Sequence, residues 1–165
     1  MKEEKKESPS STTDQVEESV KAFSKAVISD VDGTISDRRH RLHFLEGKKD
    51  WRGFFSLLSQ DPPITSTIRL LEEFHNQGVK IIFFTGRPKD YERETIEWLD
   101  NNLSFDDYLL FMRPSKDFRK DIVIKEEMLR GVQTEFRIIK AFDDQPELID
   151  LWQKSGIDCI NCSLD

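Results

Sequence analysis

The sequence predicts a three-layer α/β sandwich with a mostly parallel sheet and a small cap insert. Two observations carry that expectation. From Lys25 onward, short apolar runs alternate with helical segments, and each run stops at a polar residue. Runs that are apolar throughout, rather than in alternation, mark strands buried on both faces, and strands alternating with helices pair in parallel. A third observation is composition. Leu, Ile, Val and Phe make up about 28% of the 165 residues, above the roughly 20% below which a chain reads as disordered.

Residues 1–24 are rich in Lys, Glu, Ser and Thr. They read as a disordered tail that ends in a frayed helix from Gln15 to Phe23. The first strand follows as Ala26-Val27-Ile28-Ser29. Four more are expected at Val79 to Phe84, Tyr108 to Met112, Arg137 to Phe142 and Ile157 to Ile160. Between them, Ile64, Ile68, Leu71 and His75 share a helical face, and Gly78 stops that helix. Lys89 to Asn101 places Tyr91, Trp98 and Leu99 at helical spacing. Asp121 to Arg130 precedes Gly131, with Asp121 as the expected N-cap. Pro146 opens a helix over Glu147 to Lys154, which Gly156 closes. The stretch from Ser36 to Gln60 fits none of these and reads as the cap, with a short amphipathic helix over Trp51 to Leu58. Residues 25–165 thus form one domain that carries its cap at 36–60.

Composition also excludes function classes. With 25 Lys and Arg against 32 Asp and Glu, the net charge is −7. This excludes a globally basic nucleic-acid coat and leaves a local basic patch open. No apolar run approaches the ~20 residues of a membrane span, and the N-terminus has no secretory signal pattern. Cys159 and Cys162 do not make a disulfide framework; the expected compartment is intracellular, cytoplasmic. As a CxxC near a strand end, the pair reads as structural. His40 and His43 have no third histidine nearby and read as non-ligands.

In open α/β sheets, ligands bind beyond the carboxyl ends of the strands. There the sequence sets Asp30-Val31-Asp32-Gly33-Thr34, Thr85-Gly86-Arg87 and Asp143-Asp144. Carboxylates crowded on one rim raise one another's pKa unless a cation is bound, and Mg²⁺ suits an all-oxygen donor set. Asp30 and Asp32, two apart, would share one strand face. A carboxylate there can attack phosphorus, and the second can carry the proton. Thr85 offers a hydroxyl to a phosphoryl oxygen. Lys125 shares a helical stripe with Phe118, Ile122 and Leu129, and in the first turn its charge opposes the helix dipole, which calls for an anionic neighbour. Taken alone, Lys125 also reads as a surface lysine and Asp143-Asp144 as a helix start.

Asp30-Val31-Asp32-Gly33-Thr34, Thr85, Lys125 and Asp143-Asp144, in that order, resemble the motifs of the haloacid-dehalogenase-like phosphohydrolases. A closer likeness extends over Thr85-Gly86-Arg87, Arg119 to Glu127, and Asp143-Asp144 through Leu151-Trp152 to Cys159: the chain is similar to the phosphatase domain of phage-type polynucleotide kinase/phosphatases. The resemblance implies a Rossmann-like core and a Mg²⁺-dependent phosphomonoesterase. It implies Asp30 as nucleophile and Asp32 as acid and base, with Thr85, Gly86 and Lys125 on the phosphate. Arg41, Arg87 and Asp121 match substrate-site residues of that family. The metal set is Asp30, Asp32 through its carbonyl, Asp143 directly and Asp144 through water. The implied substrate is a phosphate monoester at a DNA or RNA 3′ end. Because GxxxxGK[ST] does not occur in the sequence, any kinase or ligase step falls to a separate partner. A small-molecule or nucleotide phosphatase and a catalytically idle phosphate-binding module are the rival readings. Arg38 and Arg39 are open between a solvated face and a phosphate contact, and Trp51 is the aromatic to examine for base stacking.

Overall fold

The computed structural model describes residues 23–164. The expected tail lies outside them save for its last two residues, of which Ser24 already opens the first strand. Five parallel strands form one sheet in the order β3-β2-β1-β4-β5. They are β1 Ser24–Ser29, β2 Lys80–Pro88, β3 Leu109–Arg113, β4 Phe136–Asp143 and β5 Cys159–Asn161. The helices are α1 Trp51–Ser56, α2 Thr65–Asn76, α3 Glu92–Asn102, α4 Asp121–Val132 and α5 Pro146–Lys154.

The sheet is apolar on both faces because helices cover both. Val27, Ile81, Phe83 and Phe142 pack against Ile68 and Leu71 of α2 and Trp98 and Leu99 of α3. The alternate residues Ala26, Ile28, Ile82, Phe84 and Ala141 pack against Leu129 of α4 and Leu148 and Trp152 of α5. This is the expected three-layer, Rossmann-like sandwich. Among the described residues, no helix is long and apolar enough to cross a membrane.

The insert leaves and rejoins the core through a narrow neck. Ser36 bridges both Asp32 and Pro63, and Ile64 N–H donates to the Ile35 carbonyl at 2.7 Å. Between these points lie a 3₁₀ turn over Arg39–Leu45, α1, and a second 3₁₀ turn over Leu58–Gln60. Phe54, Phe55 and Leu58 form the insert's own small core with Phe44, Leu45 and Tyr91.

Several expected boundaries move for local reasons. β2 runs past Thr85 to Pro88, with an irregularity between Thr85 and Pro88. There the Arg87 N–H donates to the Thr85 hydroxyl at 3.1 Å. The segment expected as one helix from Lys89 starts as a 3₁₀ turn, Lys89–Tyr91, because Tyr91 packs on Phe55 of the insert, ring centres 5.1 Å apart. Asp121 is the first residue of α4 rather than its cap; Lys120 holds the cap position and no side chain caps the end. The Asp121 carboxylate accepts from Arg113 instead. Phe118 lies before α4, off the Lys125 stripe, and is 92% exposed. β5 begins at Cys159, since the Ile157 N–H is taken by the Trp152 carbonyl at the end of α5.

Candidate active site

β2, β1 and β4 are neighbours, so the three motifs that follow them meet on one rim. Asp30 extends the ladder by one residue, its N–H donating to the Phe142 carbonyl at 2.9 Å. Its carboxylate then accepts from Lys125 Nζ at 2.8 Å and from the Thr34 hydroxyl at 3.3 Å. Lys125 is only 1% exposed and reaches Asp143 as well, at 3.3 Å. Asp143 is held from three further sides: the N–H groups of Asp144 and Gln145 at 3.0 and 3.2 Å, and Trp152 Nε1 at 3.2 Å. Arg38 donates to Asp144 at 3.1 Å.

Oxygens of Asp30, Asp143 and Asp144 lie within 4.8 Å of one another. Burial pushes the Asp30 carboxyl well up; Lys125 opposes this, while Asp143 and Asp144 add to it. Burial raises Asp144 too, against the pull of Arg38. Lys125 moves up despite its burial, because Asp30 and Asp143 stabilise its charge. Three hard oxygen donors facing one another, with one lysine among them, fit a divalent cation.

Asp32 is turned elsewhere. The strand ends at Ser29, so the face that Asp30 and Asp32 were expected to share does not exist, and the two carboxylates have separate partners. Asp32 accepts from Arg87 Nε at 3.0 Å and Nη2 at 2.8 Å, and it is ion-paired with Arg41. Burial alone would raise it; the charge and hydrogen bonds of Arg87, with the charge of Arg41, hold it well below the usual carboxylate range. Arg41 and Arg87 are both 0% exposed. Expected at the substrate, they touch Asp32 and Asp61 rather than the open cleft, because these carboxylates bury their guanidinium groups.

Asp61 had no sequence signal, since its partners lie 20 or more residues away. It accepts from Arg41 at 2.7 and 2.6 Å, from Arg87 at 3.3 Å and from His40 at 2.8 Å. Its carbonyl takes Trp98 Nε1 at 2.8 Å. One buried residue thus ties the insert and both arginines through its carboxylate, and α3 through its carbonyl, to the Asp32 site. Replacing Asp61 by Ala leaves two buried guanidinium groups short of a partner, and removing one member of a buried pair costs about 3–5 kcal/mol. Thermal unfolding of the variant should fall accordingly, and an unchanged midpoint would show that water replaces the carboxylate.

Two glycines are required by close approach. Gly33 has φ +86°, and a Cβ there would overlap the Asp144 carboxylate. Gly33→Ala should therefore displace Asp144 and weaken divalent binding, read by isothermal calorimetry, at a stability cost of about 1–3 kcal/mol. A Cβ on Gly86 would sit 2.7 Å from the Asp121 carboxylate. Thr85 is fully buried behind Gly86. Exposed Arg39 pairs with half-buried Asp37 and takes no part in the site. Burial pushes the thiols of Cys159 and Cys162 up to about 12 and about 11, and both donate to the Ile160 carbonyl. That environment opposes thiolate chemistry.

A cleft of about 710 Å³ opens above Asp30 and Asp32, between the insert and the β3–α4 loop; Gly86 and Asp121 line it.

The acidic rim at the ends of parallel strands, with a buried lysine among its carboxylates, fits the haloacid-dehalogenase class of phosphatases, and the chain is a hydrolase of that class. Within the class, the family described as the polynucleotide kinase PNKP phosphatase domain matches residues 24–164, and the chain belongs to it. A relative from Autographa californica nuclear polyhedrosis virus, provisionally named a bifunctional polynucleotide kinase/RNA ligase, is 29% identical over 133 residues. That match covers 79% of this chain and 18% of the viral protein. A chain in the structure of a Pnkp1/Rnl/Hen1 complex superposes with a TM-score of 0.72 at 31% identity, covering 86% of this chain and 46% of its own. The class C acid phosphatase of Bacillus anthracis, crystallised with tungstate, shares the fold with a TM-score of 0.63 at 15% identity, over 84% of this chain and 66% of its own. The chain thus spans less than half the length of the first two.

Proposed function

We propose that this chain is a Mg²⁺-dependent phosphomonoesterase that removes 3′-phosphates from polynucleotide ends through an aspartyl-phosphate on Asp30. One observation carries the reading: Asp30 stands at the floor of an open cleft with one carboxylate oxygen on Lys125, beside an acidic pair suited to a divalent cation. Asp30, Asp143, Asp144 and the Asp32 carbonyl would hold Mg²⁺. The metal would supply charge neutralisation for the phosphoryl oxygens and let a carboxylate approach a phosphate anion.

Asp30 attacks phosphorus; the new bond forms as the bond to the leaving oxygen breaks. Lys125 and the N–H groups around Gly86 face the equatorial oxygens, where charge builds. The leaving oxygen needs a proton, and the two arginines keep Asp32 ionised in the resting site. A phosphate monoester, with its second pKa near about 6, can bring that proton in as the monoanion. Asp32 relays it to the leaving group, then takes a proton from the water that hydrolyses the aspartyl-phosphate. The polynucleotide part of the reading is supported by the family and by the names of the two longer relatives. Those names also support a kinase or ligase activity working together with this phosphatase.

The test is phosphate release, with Mg²⁺ and with EDTA, from a 3′-phosphorylated oligonucleotide and from the matching 3′-mononucleotide, with Asp30→Asn as blank. Mg²⁺-dependent release favouring the oligonucleotide is expected. Release favouring the mononucleotide would keep the chemistry and replace the substrate by a nucleotide. Binding without turnover would leave a phosphate-binding module.

A further inference from the structure

We propose that the outer part of the cleft is a nucleobase subsite, built by Trp51 and Phe118, that seats the unpaired terminal base of a 3′-phosphorylated single strand. The inference rests on the phosphatase reading above and adds to it what the enzyme grips beside the phosphate.

Phe118 is 92% exposed, yet the backbone around it is pinned. Arg113 donates to the carbonyls of Asp117 at 2.9 Å, Arg119 at 2.6 Å and Gly86 at 3.1 Å. Arg119 in turn is paired with Asp117 and with Glu127 of α4. A phenylalanine held in water by a braced loop is unlike one on a frayed end: its ring is presented, not left over. Trp51 is the corresponding feature on the insert. Trp98 and Trp152 are 3% and 1% exposed, whereas Trp51 is 50% exposed. It is backed by Phe55, ring centres 5.9 Å apart and nearly parallel at 22°, and by the edge of Phe54. Both aromatics line the cleft that ends at Asp30.

The charges beside them select the ligand. Arg52 follows Trp51, Lys116 is two residues from Phe118, and both line the cleft. Neither has an ion pair among the described residues, while Asp117 and Asp121 in the same wall are already paired with arginines. One unpaired carboxylate, Asp90, remains against them. Aromatic faces interleaved with free cations, above a phosphate-transfer site, match the alternation of base and phosphate along a single strand. A paired end presents its base edges within a stack and leaves no free face for either ring.

The test compares kcat/KM for a single-stranded 3′-phosphorylated oligonucleotide with that for the same strand ending in a stable abasic nucleoside. Wild type, Trp51→Ala, Phe118→Ala and Trp51→Phe are measured with Mg²⁺. Stacking on an aromatic is expected to favour the natural end by roughly 5- to 100-fold, mainly through KM. That preference should fall towards one in both alanine variants and return in part in Trp51→Phe. Phe118 supports no core, so its variant keeps the fold. Equal rates on the two ends by wild type, or a preference unchanged in both alanine variants, would overturn the subsite alone. Absence of Mg²⁺-dependent release from either strand would overturn the 3′-phosphatase reading beneath it.

Discussion

Asp30→Asn should lose phosphate release by about 10⁴-fold or more, the scale seen when a covalent nucleophile is removed. The substitution keeps the side chain's size: the amide oxygen can still accept from Lys125, now 2.8 Å from one carboxylate oxygen, and the amide NH₂ in place of the other oxygen can donate to the Thr34 hydroxyl, now 3.3 Å away. It removes one charge from a buried crowd of three, where burial first and then Asp143 and Asp144 raise the Asp30 carboxyl. Lys125 retains Asp143 as an anionic partner at 3.3 Å. The variant should therefore fold as well as the wild type, with a thermal midpoint equal or higher. Quenched-flow trapping with ³²P-labelled substrate in acid should recover a labelled wild-type protein and an unlabelled variant. Residual activity above a few per cent would show that another group attacks phosphorus.

The sheet and the chemical rim were legible from the chain because both rest on local signals. An unbroken apolar run such as Ile81-Ile82-Phe83-Phe84 has no other stable home than a sheet covered on both faces. The polar residues that stop those runs had to fall on one edge once the strands were parallel. What stayed hidden was long-range. Asp61 stands before two prolines in a segment with no motif, and only the fold brings Arg41 and Arg87 to it. Arg41 matches a substrate-site residue only through the family resemblance, and nothing in its basic stretch signals the two carboxylates, Asp32 and Asp61, that bury it. Asp121 was expected to cap α4, as aspartates commonly do, and the competing charge of Arg113 turns its side chain away. Phe118 fell on an apolar helical stripe by spacing alone, but the helix begins three residues later. Each of these misses involves a polar or aromatic side chain whose partner comes from another element, where periodicity carries no information.

Lys125→Met tests the electrostatic design of the rim. Methionine matches the stem of the lysine and fills the same buried space, so packing changes little. The cation vanishes from a position 1% exposed, leaving Asp30, Asp143 and Asp144 within 4.8 Å of one another with no buried counter-charge between Asp30 and Asp143. Breaking a buried ion pair from one side costs about 3–5 kcal/mol, which for a domain of this size lowers the melting temperature by roughly 10 °C. That deficit should appear in EDTA and shrink with millimolar Mg²⁺, because the proposed metal would neutralise the same carboxylates as the lysine. The differential gain over wild type is the diagnostic quantity: a gap that is identical with and without Mg²⁺ would mean the acidic trio holds no divalent ion. Activity should not return with stability. In the proposed mechanism Lys125 also serves the oxygens on which charge develops, and losing one such donor costs about 10²- to 10³-fold. A variant that Mg²⁺ restores in melting temperature but not in kcat would separate the two tasks of this residue: balancing the resting carboxylates and stabilising the phosphoryl group in flight.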